Sequence, residues 1–231
     1  MLNLKTTIIP VVPFRDASQM SHNLVIAAKC GITDLFILAG DAGIQSALSK
    51  FLKEHRSKRE ERIRVGVAFK DIDPLQCLAE CATFGSRMTW SRRLITHSEI
   101  PFIRKLKRCF LIQEELQAEK GHHLFASIGT ACRNEEPDPG NAGKLAAEHG
   151  MIPIVAMETP EASVPIETLE LIRNQLPLNK SLAVGSGITD YNIKVYQKYA
   201  NIFLVQSNVL TFDGSDLLVP QQLDDLKAAL E

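Results

Sequence analysis

Short, nearly continuous apolar runs alternate along this chain with longer stretches in which apolar residues recur at helical spacing. The runs are Thr7 to Pro13, Asp34 to Ala39, Ile63 to Phe69, Arg87 to Trp90, Leu124 to Gly129, Ile152 to Met157, Leu182 to Gly185 and Ile202 to Gln206. Runs this short and this uniformly apolar predict strands buried on both faces, as in a parallel sheet. Between them, His22 to Cys30, Gln45 to Glu60, Pro74 to Phe84, Pro101 to Lys120, Asn141 to His149, Pro165 to Gln175, Asp190 to Tyr199 and Pro220 to Leu230 read as helices. Punctuation supports these limits. Pro74, Pro101, Pro165 and Pro220 suit a first helical turn, where a missing N–H costs nothing, and Gly31, Gly85, Gly121 and Gly150 suit the stop after a last one.

Eight strands in strict alternation with eight helices predict an α/β fold, a (β/α)₈ TIM barrel around a parallel eight-stranded sheet. An open doubly wound sheet would carry a nucleotide fingerprint after its first strand, where this chain has PFRDASQ. With no linker, low-complexity segment or internal repeat, residues 1–231 read as a single domain.

Composition narrows the function classes. Lys+Arg 26 against Asp+Glu 27 gives a formal charge of −1, so no global field draws the protein to nucleic acid or to an anionic membrane. No apolar run approaches the ~20 residues of a membrane span, and no signal-peptide order of charge, apolar core and cleavage site opens the chain. The reading is a cytoplasmic protein with no membrane insertion. Five scattered cysteines argue against a disulfide framework. Cys77 and Cys81, four apart on one predicted helix, read as small buried hydrophobes rather than a metal or redox pair. The six histidines are unclustered, so neither metal nor cofactor is expected; His97, in SRRLITHSEI, is placed in a loop after the fourth strand.

In such a barrel the loops after the strands converge on one face, which therefore selects the candidate chemistry. It selects Arg15 and Asp16, Gly40 and Asp41, Lys70 and Asp71, Trp90 and Arg92, Thr130, Cys132 and Arg133, Glu158 and Thr159, Ser186 and Gly187, and Ser207 and Asn208. Lys70 suits phosphate binding, imine formation or pairing with a carboxylate. Asp41 and Glu158, at the ends of the second and sixth strands, suit an acid and a base flanking a small substrate. Cys132 would act as a nucleophile only with a base close by, and Glu135, Glu136 and Asp138 read as solvated.

The sharpest motif is LAVGSGITDYNI: a strand, then Gly185, Ser186 and Gly187, then Thr189 and Asp190 opening a helix. Glycines let backbone N–H groups approach an anion without interference from Cβ, and a side chain at Gly187 is expected to obstruct them. The next strand supplies a second polar loop at Ser207 and Asn208. Gly185, Ser186, Gly187, Ser207 and Asn208 are therefore the candidate phosphate-binding residues; a tight turn needing glycine for geometry alone is the alternative.

This pair of loops resembles the ribulose-phosphate-binding barrels, in which the loops after strands seven and eight hold a phosphate. Those barrels usually end the last strand in Gly-Ser, where this chain has Gln206, Ser207 and Asn208. After the fifth strand they would have a Lys-His pair, where this chain has Thr130, Ala131, Cys132 and Arg133. Within that superfamily, GITDLFILAGDAG and AVGSGITDYNI followed by IFLVQSNVL resemble the BtpA family, which is associated with photosystem I biogenesis. VVPFRDASQ and LAGDAG also resemble class I aldolases of the dihydrodipicolinate synthase type. The resemblance stops at the Schiff-base lysine, whose place is taken by Met157 and Glu158. Two functions follow. One is an isomerase, lyase or aldolase acting on a small phosphorylated metabolite; the other is a non-catalytic BtpA-like barrel in assembly or regulation. A homo-oligomer is compatible with either.

Overall fold

A computed structural model describes residues 4–39, 45–57, 63–69, 74–96, 108, 111–112, 122–128, 138–157 and 159–231. Its strands are β1 (Thr7–Pro13), β2 (Asp34–Ala39), β3 (Arg64–Phe69), β4 (Met88–Thr96), β5 (His123–Ile128), β6 (Ile152–Val155), β7 (Ala183–Val184) and β8 (Ile202–Val205). Each pairs in parallel with the next, and β1 pairs with β8 from Thr7 opposite Ile202 to Pro10 opposite Val205, closing the barrel. The described helices are α1 (Ala17–Lys29), α2 (Gln45–Ser57), α3 (Pro74–Phe84), α4 (Pro139–Glu148), α5 (Ile166–Gln175), α6 (Ile193–Tyr196) and α7 (Pro220–Ala228). The expected (β/α)₈ barrel is the fold. Among the described residues, no helix is long and apolar enough to cross a membrane.

Successive side chains on a strand face opposite ways, and this alternation divides the core in two. Ile9, Val11, Phe36, Ala68, Met88, Trp90, Phe125, Ile154, Ala183, Ile202 and Leu204 form one cluster, the filling of the barrel. Their neighbours on the same strands, such as Ile8, Val12, Leu35, Ile37, Val67, Phe203 and Val205, join helix residues in a second cluster outside it. Phe36 sits edge-on to Phe125 and Trp90, with ring centroids 5.1 and 6.3 Å away. Phe36 and Met88 explain Gly66: a Cβ there would come within 2.6 Å of the Phe36 ring and 2.8 Å of Met88 Cβ.

Three sequence readings shift. Helix α1 begins at Ala17, not His22, because the Asp16 carboxylate caps it by accepting from the Gln19 N–H at 2.8 Å. Strand β4 runs on to Thr96 through an irregularity between Ser91 and Ile95, so most of the segment read as a loop before His97 is strand. Helix α6 spans only Ile193–Tyr196 of the expected 190–199. Of the expected helix at 101–120, only 108, 111 and 112 are described. Gly31, Gly85 and Gly150, read as helix stops, all adopt the left-handed conformation with φ of 67, 73 and 70°.

The end of the barrel where the strands begin is stabilised by polar contacts. Arg64 Nε lies 2.6 Å from Asp34 Oδ1 in an ion pair, and the Thr33 hydroxyl donates to Asp34 Oδ2 at 2.7 Å. Burial first, then the Arg64 charge, holds His123 below the ordinary histidine range. His122 is buried with Nδ1 3.0 Å from the Ser86 carbonyl, so that nitrogen must carry the hydrogen; Nε2 faces the Thr89 hydroxyl at 2.9 Å. Cys77 and Cys81 are fully buried, and burial pushes the Cys81 thiol up to about 12. Both fill the space of small hydrophobes, as expected without a second ligand cluster.

Closure through β8 leads to a direct expectation. Removing 202–231 leaves β1 and β7 with unpaired edges and exposes the barrel filling, so the truncated chain should aggregate. Size-exclusion chromatography with circular dichroism would show a soluble, folded product if closure were dispensable.

Candidate functional site

The loops that leave β6, β7 and β8 follow one another around the barrel mouth. They are joined by hydrogen bonds between residues far apart in the chain. The Gly185 N–H extends the β6–β7 ladder to the Val155 carbonyl at 2.8 Å, and the Met157 N–H donates to Ser186 Oγ at 2.8 Å. The Gly187 N–H donates to the Pro160 carbonyl at 2.7 Å. Ser186 is buried at 3% exposure, so its hydroxyl is an internal acceptor first and a ligand donor second.

Glycine is required at 187 for two reasons that both lie within the protein. Its φ is +59°, and a Cβ there would stand 2.5 Å from the Ser163 backbone. The obstruction expected of a side chain at this position is thus with the loop after β6. At Gly185 a Cβ would meet Ile154 Cδ1 at 3.0 Å and Ala156 Cβ at 3.1 Å, so a side chain there would require these neighbours to give way.

The loop after β7 is then turned by Asn192. Its Oδ1 accepts from the Thr189 N–H at 2.8 Å while its Nδ2 donates to the Gly187 carbonyl at 2.6 Å. Asn208, in the short 3₁₀ turn Ser207–Val209 after β8, donates from Nδ2 to the Ile188 carbonyl at 2.6 Å. This bond binds the two candidate phosphate loops to each other. The backbone N–H groups of Ser186, Ile188, Ser207 and Asn208 donate to no described residue. The five residues Gly185, Ser186, Gly187, Ser207 and Asn208 therefore lie on two joined loops, with part of their donor capacity used internally and part of it open.

Beyond Asn208 the chain forms a strap over the seam between β8 and β1. Leu210 bridges Leu218, and the Thr211 N–H donates to the Leu217 carbonyl at 2.8 Å. The Asp216 carbonyl receives Gln19 Nε2 at 3.1 Å and Asn23 Nδ2 at 3.0 Å, and Asn23 Oδ1 accepts from the Leu218 N–H at 2.7 Å. Fully buried Asn23 thereby ties α1 to the strap through both ends of its amide. Arg15 meets the Asp216 carboxylate at 2.5 Å, so this cation of the mouth is engaged by the protein. Hydrogen bonds from the Ser215 hydroxyl and N–H bring the exposed Asp213 carboxyl down to about 2.

Asp41, Lys70 and Glu158 lie outside the described residues, as do Gly40, Asp71, Thr130, Cys132, Arg133, Glu135 and Glu136. Asp138, read as solvated, caps α4 by accepting from the Asn141 N–H at 2.9 Å. Sequence reading did not single out Asn23, Asn192 or Ser127; Trp90, selected there as a residue of the mouth, lies in the barrel filling, where its indole donates to Ser127 Oγ at 3.1 Å. A signal existed for Asn192, three residues after Thr189 at a helix start. For Asn23 and Ser127 none did, since their partners are distant in sequence. Among the described residues, no three His, Cys, Asp or Glu side chains come together as a metal site would require.

No protein-family model matches this chain, and no curated protein does. Solved structures do match. The 3-keto-L-gulonate-6-phosphate decarboxylase of Vibrio cholerae shares 12% identity at a TM-score of 0.65, with 98% of each chain covered. The phosphoribosyl anthranilate isomerase of Thermus thermophilus shares 10% at 0.62, covering 97% of this chain and 98% of its own. KGPDC from Streptococcus mutans shares 10% at 0.63, with 97% of each covered. At such identities the likeness is one of fold.

The loop contacts rank two substitutions. Gly187→Ala forces a left-handed alanine, about 1–2 kcal/mol, and adds a backbone collision. Ser186→Ala loses one hydrogen bond, about 1 kcal/mol. Thermal unfolding should therefore show the larger loss for Gly187→Ala; the reverse order would mean that the loop after β6 yields freely.

Proposed function

We propose that this barrel is an enzyme that binds a small phosphorylated metabolite at the loops after β7 and β8. The reaction is of the isomerase, lyase or aldolase type. The observation that supports this reading is the hydrogen bond from Asn208 Nδ2 to the Ile188 carbonyl. It holds together two loops on which the N–H groups of Ser186, Ile188, Ser207 and Asn208 remain open. Convergent N–H donors are the common means of holding a phosphate without a cation. The structural neighbours named for a 6-phosphate and for a phosphoribosyl compound agree with a ligand of this kind.

Acid–base work falls in this proposal to Asp41, Lys70 and Glu158. In the chain, Lys70 directly follows β3 and Glu158 comes three residues after β6, positions that belong to the loops after those strands. Lys70 would bind substrate charge or carry a proton, and the two carboxyl groups would serve as acid and base if their environments drive their pKa values apart. Neither metal nor cofactor enters the scheme. Cys30, Cys77 and Cys81 are held as thiols rather than in disulfides, which fits a cytoplasmic setting.

The second reading, a non-catalytic BtpA-like barrel acting in assembly or regulation, gains support from the cup itself. The Gly187 N–H and Ser186 Oγ already have partners inside the protein.

A thermal-shift screen of phosphorylated sugars, with inorganic phosphate beside it, tests the first reading. A ligand at 100 times its Kd should add about 2.7 kcal/mol to stability. Lys70→Ala should lower binding or turnover at least about tenfold, or 1.4 kcal/mol, while leaving the unfolding midpoint of the free protein in place. Binding without turnover of any screened compound would favour the assembly reading. No binding of phosphate or phosphorylated sugar would end the anion-cup assignment.

A further inference from the structure

One layer above the paired Trp90 and Phe125, the inner wall of the barrel carries a hydroxyl, that of Ser127. Side chains alternate along β5, so Ser127 faces inward like Phe125, while Ile128 belongs to the outer cluster. Ser127 is in register with Ile154 of β6, and Ile154 with Ala183 of β7, two residues before Gly185. It therefore lies one inward layer deeper than Gly185 and, at roughly 4.8 Å per strand, about 10 Å from it around the wall. Ser127 is 9% exposed and Phe125 only 1%, so solvent contact falls off at this level.

One side of this hydroxyl is fixed. The Trp90 indole, which can donate but not accept, gives its N–H to Ser127 Oγ at 3.1 Å. A buried tryptophan needs an acceptor, and that need accounts for an oxygen at 127. It does not account for the hydrogen that the hydroxyl still carries. The Ser127 O–H donates to no described residue, and its register neighbour on β6 is the apolar Ile154. Because the indole occupies one lone pair of Oγ, the hydrogen is turned away from Trp90.

We propose that Ser127 is a further binding residue of the phosphate site, donating its hydroxyl hydrogen to a carbonyl oxygen at the end of the ligand remote from the phosphate. Trp90 is the positioning residue that holds Ser127 as a donor. The inference rests on the phosphate reading of the loops after β7 and β8, and it narrows the ligand to phosphorylated compounds with a carbonyl group a short carbon chain away. A carbonyl oxygen accepts without bringing a hydrogen that must itself be placed in this apolar layer.

The test uses inorganic phosphate, n-pentyl phosphate, 4-hydroxypentyl phosphate and 4-oxopentyl phosphate, titrated calorimetrically into the full chain and into Ser127→Ala. The substitution should weaken 4-oxopentyl phosphate about fivefold, as for one neutral hydrogen bond, and leave inorganic phosphate and n-pentyl phosphate unchanged. Ser127→Thr, which keeps the hydroxyl, should restore the affinity for the ketone. An equal loss for the alcohol would overturn the carbonyl assignment. The chain has one tryptophan, so its indole N–H gives a single NMR signal. Donation by Ser127 to the ketone strengthens the bond it accepts from Trp90, so 4-oxopentyl phosphate should move that signal downfield and inorganic phosphate should not. This wild-type measurement stands even if Ser127→Ala does not fold, and a bound ketone that leaves the signal in place would overturn the proposal. Probes that bind wild type and Ser127→Ala alike would also overturn it while leaving the anion cup standing. Failure of every phosphate probe to bind would overturn both.

Discussion

The pairing of Thr7 through Pro10 with Ile202 through Val205 is the constraint from which the rest of the structure follows. Once the first and last strands are joined, no strand has a free edge, and each must send one set of side chains inward and the other toward the helices. The inward set has a fixed and small volume to fill. Phe36 packs edge-on against Trp90 and Phe125 within it, and at Gly185 a Cβ would already crowd Ile154 and Ala156.

The loops after β7 and β8 are held by asparagine side chains, Asn192 within its own loop and the others across distant parts of the chain. Asn192 turns the loop after β7, Asn208 joins it to the loop after β8, and Asn23 fastens the strap from Leu210 to Leu218 onto α1. An asparagine donates and accepts at once, so a single side chain replaces two backbone contacts that an irregular segment cannot make for itself. The result is a pair of joined loops in which the N–H groups of Ser186, Ile188, Ser207 and Asn208 are among those that donate to no described residue. Donors fixed in this way need no reorganisation when an anion arrives, which is where their binding energy would come from.

Charge around the rim is divided by position. Arg15 is neutralised by Asp216, so among the described residues it does not serve the β7–β8 loops as a free cation. Asp190 and Asp225 line a cleft together with Asn208 and put negative charge beside these loops. A phosphate seated at the loops would be held by neutral N–H dipoles, and the nearby carboxylates would limit its affinity unless a cation shared the region.

The order of strands and helices, the eightfold count and the closed barrel were legible in the chain, because buried parallel strands need apolar runs and helix stops need glycine. Gly31, Gly85 and Gly150 at positive φ show that local rule at work. The two loops of the candidate site were legible as well, from LAVGSG and the polar Ser207 and Asn208. Their hydrogen-bond states were not. Whether the Gly187 N–H faces a ligand or the Pro160 carbonyl depends on a loop 27 residues earlier in the chain. Whether Asn23 is a surface residue or the anchor of a strap depends on Leu218, 195 residues later. Local sequence determined where the chain could turn and which faces had to be buried. Only the closed tertiary structure, by bringing distant donors and acceptors within about 3 Å of one another, decided which polar groups serve the fold and which it leaves open.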